Sequence, residues 1–166
     1  LRLLHLVMSS DARNGAMQGI PEEELRARGV SVTTVSLGPG VPPPVARAVL
    51  TQAAGATHVL ASCFVRLSGA KGTADMSTSQ AQLLRDLAAA GRPLVVVSFG
   101  SPYLLRQFPD VPVYVAAYGG AESSQRAAVG ALFGEFAVGG KLPVSLPGLY
   151  AYGHGLELPR REVTLR

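Results

Sequence analysis

Short, nearly unbroken apolar runs alternate with helix-patterned segments along this chain, and that alternation restricts the fold more than any other feature. The runs are Leu3–Met8, Val30–Leu37, His58–Phe64, Leu94–Phe99 and Val113–Tyr118. Each has the length of a strand, and most lack the polar alternation of a sheet with one wet face, so they read as parallel strands covered on both sides. Leu142–Leu146 is a sixth candidate, limited to a sheet edge because Pro143 has no N–H for a ladder.

The segments between the runs carry helix boundaries. Ser77 and Gln80 have capping-box spacing, Leu83, Leu84, Leu87 and Ala88 make one stripe, and Gly91 then Pro93 close the helix. Pro44 suits a first turn, Val45, Ala48, Val49 and Ala53 share a face, and Gly55 ends that helix. Pro21 with Glu22, Glu23 and Glu24 suits an N-terminus, Arg26 and Arg28 a last turn, and Gly29 a C-cap. Glu122 to Phe133 ends at Gly134 in the same way. The expected fold class is α/β: a three-layer, flavodoxin-like sandwich with a mostly parallel five- to six-stranded sheet and helices on both faces. Residues 1–166 form one domain of this kind. From Gly139 to Gly155 the chain is rich in Gly and Pro, as in a tail wrapped over the domain and sealing a sheet edge.

Composition narrows the classes further. With 166 residues, 48% hydrophobic and 16% charged, the chain can fill a core. No apolar run reaches the roughly 18–20 residues of a membrane-spanning helix. The charge of +4 comes from 15 cationic residues, all arginine except Lys71 and Lys141. They are scattered singly and without interleaved aromatics, which argues against nucleic acid as a partner. One cysteine excludes a disulfide framework and a multi-thiolate zinc site. The chain opens at Leu1 inside an apolar run, which reads as a fragment boundary with any targeting signal upstream.

In such folds ligands meet the loops after the strands, here Ser9–Gly15, Gly38–Pro43, Arg66–Met76, Gly100–Ser101 and Gly119–Glu122. The familiar phosphate motifs fail: Pro43 stands where a dinucleotide fingerprint needs its third glycine, and Leu142 follows Gly140-Lys141 where a Walker loop needs Ser or Thr. Ser98 is flanked by Val96 and Gly100, so a nucleophile elbow lacks one glycine, and a strand end feeding a short helix at Ser101-Pro102 is the simpler reading. His5 and His58 fall within buried strands and His154 in the tail, with no metal-ligand spacing; Cys63 reads as a small buried hydrophobe. Asp11, Asp75 and Glu122 all fall in the carboxyl-edge loops, so a carboxylate pair for glycoside hydrolysis stays open beside simple turn and helix capping. Arg66 and Lys71 flank Ser68-Gly69-Ala70 in the longest of these loops, either as solvated charges or as contacts to an anionic or polyol ligand or to another domain. Asp11, Arg66 and Lys71 are the candidate contact residues.

The second half is more specific. Val95-Val96-Val97-Ser98-Phe99-Gly100-Ser101-Pro102-Tyr103 is followed by Phe108-Pro109, Val113–Tyr118, Ala127–Gly134, Gly140-Lys141-Leu142-Pro143-Val144 and Tyr152-Gly153-His154-Gly155-Leu156. This order resembles the C-terminal α/β sandwich domain of glycoside hydrolase family 3, closest to bacterial β-N-acetylglucosaminidases. The likeness is strongest over residues 92–156. The resemblance implies an aspartate nucleophile on an N-terminal (β/α)8 barrel of the same polypeptide, with a histidine–aspartate acid/base pair on a barrel loop. It implies no organic cofactor, a carbohydrate substrate for the whole enzyme, and no catalytic residue in this domain. In the β-glucosidase branch a glutamate of this domain can act as acid/base, but no motif around Glu122 or Glu135 matches it. The alternative is a stand-alone flavodoxin-like binding or signalling module. Cys63-Phe64, where a receiver would hold its aspartate, counts against signalling, while the polar Ser9–Gly15 loop leaves a flavin site open.

Overall fold

The computed structural model describes residues 1–11, 19–65 and 75–161. Five strands, β1 (Arg2–Ser9), β2 (Ser31–Leu37), β3 (His58–Phe64), β4 (Leu94–Ser98) and β5 (Val113–Ala116), form one all-parallel sheet. Their order is β2-β1-β3-β4-β5. The helices are α1 (Ile20–Ala27), α2 (Pro43–Gly55), α3 (Thr78–Ala89) and α4 (Glu122–Leu132), with a 3₁₀ turn over Pro102–Gln107. The domain is therefore an α/β sandwich of the expected class.

The strand order explains which helix covers which face. The chain steps outwards from β1 to β2, then reverses and crosses β1 to reach β3 and β4. Right-handed crossovers place helices on opposite faces when the direction of travel reverses. Accordingly α1 packs beside α4, and α2 beside α3. Leu4, Leu6 and Met8 of β1 enter the core with Val49, Ala53, Leu83, Leu84 and Leu87. Leu3 and Val7 enter the other core with Leu25, Ala128 and Val129. This double covering is why β1, β3 and β4 read as continuous apolar runs.

Four sequence expectations are corrected. Among the described residues the sheet has five strands, because Leu142–Leu146 forms only a single bridge, Leu146 to Tyr150. Its backbone partners otherwise lie in the tail itself, so Pro143 meets no ladder. The buried face of α2 is Ala46, Val49, Leu50 and Ala53, with Val45 and Ala48 exposed. His58 is exposed, since it starts β3 at the amino edge before the strand enters the core. As the outer strand, β2 alternates between exposed and partly buried positions instead of being covered on both faces.

Boundaries match the sequence signals well. Ser77 and Gln80 complete the capping box of α3. Gly29, Gly91 and Gly134 each adopt the positive φ of a helix-closing residue. After α4 the tail passes from one face to the other: α4 lies against the second core, whereas Leu142, Val144, Leu146 and Leu149 pack on the first. Leu146 is only 2% exposed.

Candidate functional site at the carboxyl edge

β1 and β3 are neighbours whose connections leave in opposite directions, so the crevice beyond their carboxyl ends is where a doubly wound sheet takes ligands. Local hydrogen bonds hold that edge in place. Ser9 Oγ donates to the Asp11 carbonyl at 2.7 Å and accepts the Asp11 N–H at 3.1 Å, turning the chain sharply as it leaves β1. The Ser10 N–H donates to the Phe64 carbonyl at 3.2 Å, extending the β1–β3 pairing by one rung. Gln80 reaches from the first turn of α3 and is fully buried; its amide donates to the Ser9 carbonyl at 3.0 Å and the Gly38 carbonyl at 2.7 Å. One side chain thus caps α3 and ties together the ends of β1 and β2. The sequence shows the capping role, but nothing local in it points to the second.

On the other side of the crevice, Phe64 and Phe99 stack with ring centroids 4.7 Å apart. Ser98 is fully buried and its hydroxyl donates to the Ser101 carbonyl at 2.9 Å. Ser101 in turn caps the 3₁₀ turn, accepting the Tyr103 N–H at 3.2 Å. Ser98 is therefore a strand end feeding a short helix. Tyr114, its phenol pushed up by burial, donates to the Pro102 carbonyl at 3.2 Å and braces the same turn from β5.

The titratable candidates separate clearly. Asp11 stands at the carboxyl edge immediately after β1. Asp75 is exposed just before α3, and Glu122 begins α4 at the same edge. Glu122 is committed to Arg126 one turn on, with contacts of 2.7 and 3.0 Å. Arg66 and Lys71 lie outside the described residues. Glu135 sits at the opposite, amino edge, held by Arg28 through two bonds of 2.6 and 3.0 Å. That bonding lowers the Glu135 carboxyl below its ordinary range, against the requirement of a general acid. Arg28 also bonds Glu24 and lies 5.6 Å over the Phe133 ring, while Arg126 bonds both Glu24 and Glu122. These ions clamp α1 to α4.

Cys63 is fully buried and desolvation pushes its thiol up to about 12, so it packs as a hydrophobe and presents no thiolate. His5 is fully buried, with Nε2 2.9 Å from Ser62 Oγ, and desolvation holds it neutral down to about 4. Among the described residues, no three His, Cys, Asp or Glu side chains gather as a metal ion would need. No described helix is long and apolar enough to cross a membrane.

The tail motifs turn out to be two halves of one clasp. The Leu142 N–H donates to the His154 carbonyl at 2.7 Å, and the Gly153 N–H returns to the Leu142 carbonyl at 2.9 Å. Lys141 Nζ donates to the Gly155 carbonyl and to Glu157, both at 3.1 Å. A Cβ on Gly155 would stand 2.2 Å from the Gly140 carbonyl oxygen, so only glycine permits this approach. His154 stacks on Tyr150 with centroids 4.2 Å apart.

A sequence model described as the glycosyl hydrolase family 3 C-terminal domain matches residues 21–157, including both halves of the clasp. The chain belongs to that family. Among solved structures, a family 3 β-N-acetylglucosaminidase from Paenibacillus is similar with a TM-score of 0.66 and 20% identity, over 82% of this chain and 26% of that one. A fungal multi-domain family 3 β-N-acetylglucosaminidase is similar with a TM-score of 0.72 and 19% identity, over 93% of this chain and 16% of that one. A family 3 exo-β-xylosidase gives a TM-score of 0.62 and 18% identity, over 86% and 21% of the respective chains. At these identities the likeness shows the shared fold. The chain spans about a quarter or less of each of those chains. No curated protein sequence matches it.

Proposed function

We propose that this domain is the accessory half of a glycoside hydrolase that removes terminal β-linked N-acetylhexosamine. Its partner would be an N-terminal (β/α)8 barrel of the same polypeptide, carrying the nucleophile and the acid/base. The observation that carries this reading is the family match over residues 21–157. The Gly-Lys-Leu-Pro-Val and Gly-His-Gly-Leu segments, joined in the clasp, support the family 3 C-terminal domain, and the names of two of the similar structures support the N-acetylglucosaminidase branch.

The charged groups fit an accessory role. Glu122 and Glu135 are engaged by arginines that hold helices together. What the domain offers a barrel is its carboxyl edge, where Asp11 and the connection bearing Arg66 and Lys71 would border the substrate. Binding contacts made equally in ground and transition states would lower KM without adding a chemical step.

The test compares the full polypeptide with this 166-residue domain on 4-nitrophenyl β-N-acetylglucosaminide, β-xyloside and β-glucoside. The full polypeptide should show its highest kcat/KM on the first, and the domain alone should be inert. Turnover by the domain comparable to that of the full polypeptide would overturn the accessory role. A preference for xyloside or glucoside would overturn the substrate assignment.

A further inference from the structure

Among the described residues, Tyr118 is the only non-glycine with a positive φ, at 60°. The Gly119 N–H donates to the Ala117 carbonyl at 2.8 Å and closes a three-residue turn about it. Such a turn is strained when a bulky L-residue stands at its centre, and glycine would relieve it. Two glycines follow Tyr118 directly, yet the tyrosine holds the strained place. Burial offsets little of that strain, because the residue is 46% exposed. Strain that core packing does not explain marks a position serving something other than the fold.

The turn is fixed on both sides. The Ala117 N–H donates to the Ser98 carbonyl at 2.9 Å, holding the end of β5 to β4. The Gly120 carbonyl accepts from the buried Gln125 amide at 2.8 Å. A Cβ on Gly120 would stand 3.5 Å from the Phe64 ring, so the backbone there lies against the Phe64–Phe99 stack. An exposed aromatic is thus presented by a braced turn just after β5, on the edge where a sandwich of this kind takes ligands. From Ala116 to Ala121 the chain carries no charged side chain. The turn therefore offers an apolar ring with a hydroxyl at its tip and nothing for an ionic ligand, which suits a neutral ligand with both an apolar face and hydroxyls. A pyranose ring has that chemistry.

We propose that Tyr118 is a carbohydrate-contacting residue, whose ring stacks on a pyranose of the bound substrate. The inference rests on the glycosidase reading above and deepens it. The barrel would hold the sugar that is released, beside its nucleophile, so the ring left for Tyr118 is the one on the leaving side of the scissile bond. Fixing the aromatic before the substrate arrives removes an ordering cost from binding, which is what the strained turn achieves. Tyr118 takes no part in making or breaking the bond.

The test uses the full polypeptide as wild type, Y118F, Y118G and Y118N. Initial rates are measured on the β-linked disaccharide of the sugar it releases best, whether diacetylchitobiose, xylobiose or cellobiose, and thermal melts are recorded beside them. Y118F keeps the ring and should hold KM within about twofold. Glycine and asparagine accept a positive φ but supply no ring. In Y118G and Y118N, KM should rise about tenfold while kcat stays within about twofold, and the melting temperature should equal or exceed that of wild type. An unchanged KM in both overturns the proposal and leaves the glycosidase reading standing. A raised KM that tracks a lower melting temperature in both shows a merely structural residue and overturns it too. So does a wild type that cleaves an aryl glycoside but none of the disaccharides. A wild-type polypeptide inert on all three aryl glycosides overturns the glycosidase reading itself, and the inference with it.

Discussion

Acid should weaken this domain through one residue, His5. The imidazole is fully buried between Leu3 and Val7 on β1, and the Ser62 hydroxyl lies 2.9 Å from Nε2. Its Nδ1 has no hydrogen-bond partner among the described residues. Desolvation lowers its pKa from 6.5 to about 4, only partly offset by the charge of Glu22. The unfolded chain takes up a proton below pH 6.5 while the folded chain refuses it until about pH 4, so stability falls as pH drops through that window and levels off below it. Linkage makes the loss about 2 kcal/mol between pH 7 and pH 5, and about 3 kcal/mol by pH 4. Urea unfolding of the 166-residue chain at half-unit steps from pH 7.5 to 4.5 measures it. In this range most carboxylates are still ionised, so the slope belongs to the histidine. His5→Gln, which keeps an amide group within reach of Ser62, should remove most of the slope. An unfolding free energy that is equal at pH 7 and pH 5, or a slope that survives in His5→Gln, would refute the reasoning.

Leu146 anchors the tail at 2% exposure, so Leu146→Ala should destabilise by about 2–4 kcal/mol in denaturant titrations, the usual range for a buried leucine. Deleting residues 139–166 should lower the melting temperature or cause aggregation, and an unchanged sharp melt would show the tail to be dispensable. Gly155→Ala forces a Cβ against the Gly140 carbonyl; limited proteolysis should cut the clasp before the sheet, with global stability down by about 1–3 kcal/mol. In the full polypeptide, Arg66→Ala and Lys71→Ala should raise KM with little effect on melting temperature, and a variant pair with unaltered kinetics and stability would reduce their loop to a solvated connection.

The layered fold was legible because burial on both faces leaves its mark on composition. Leu3–Met8 and Leu94–Phe99 carry almost no polar residue, and Ser77 with Gln80 marks a helix start within four residues. The α2 face was misphased because a helix built largely from Ala and Val has several nearly equivalent apolar stripes; the sheet beneath it selects Ala46, Val49, Leu50 and Ala53. His5 and His58 look alike in sequence, yet one lies mid-strand in the core and the other at an exposed strand start. Of the candidate contacts, Asp11 is placed at the carboxyl edge, whereas Gln107, whose amide bonds both backbone groups of Met76, left no signal, because that partner is 31 residues away.

By itself the sequence determined what nearest neighbours along the chain decide: strand and helix positions, caps, and the α/β class. Long-range pairing belonged to the tertiary structure. It put β1 between β2 and β3, joined Gly140–Leu142 to Gly153–Gly155, and turned Gln80 and Gln107 from surface-type polar residues into braces for the carboxyl edge. The physical reason is that a hydrogen bond between residues distant in sequence leaves no periodic trace. Its partners are brought within reach only after the two cores have packed the helices against the sheet.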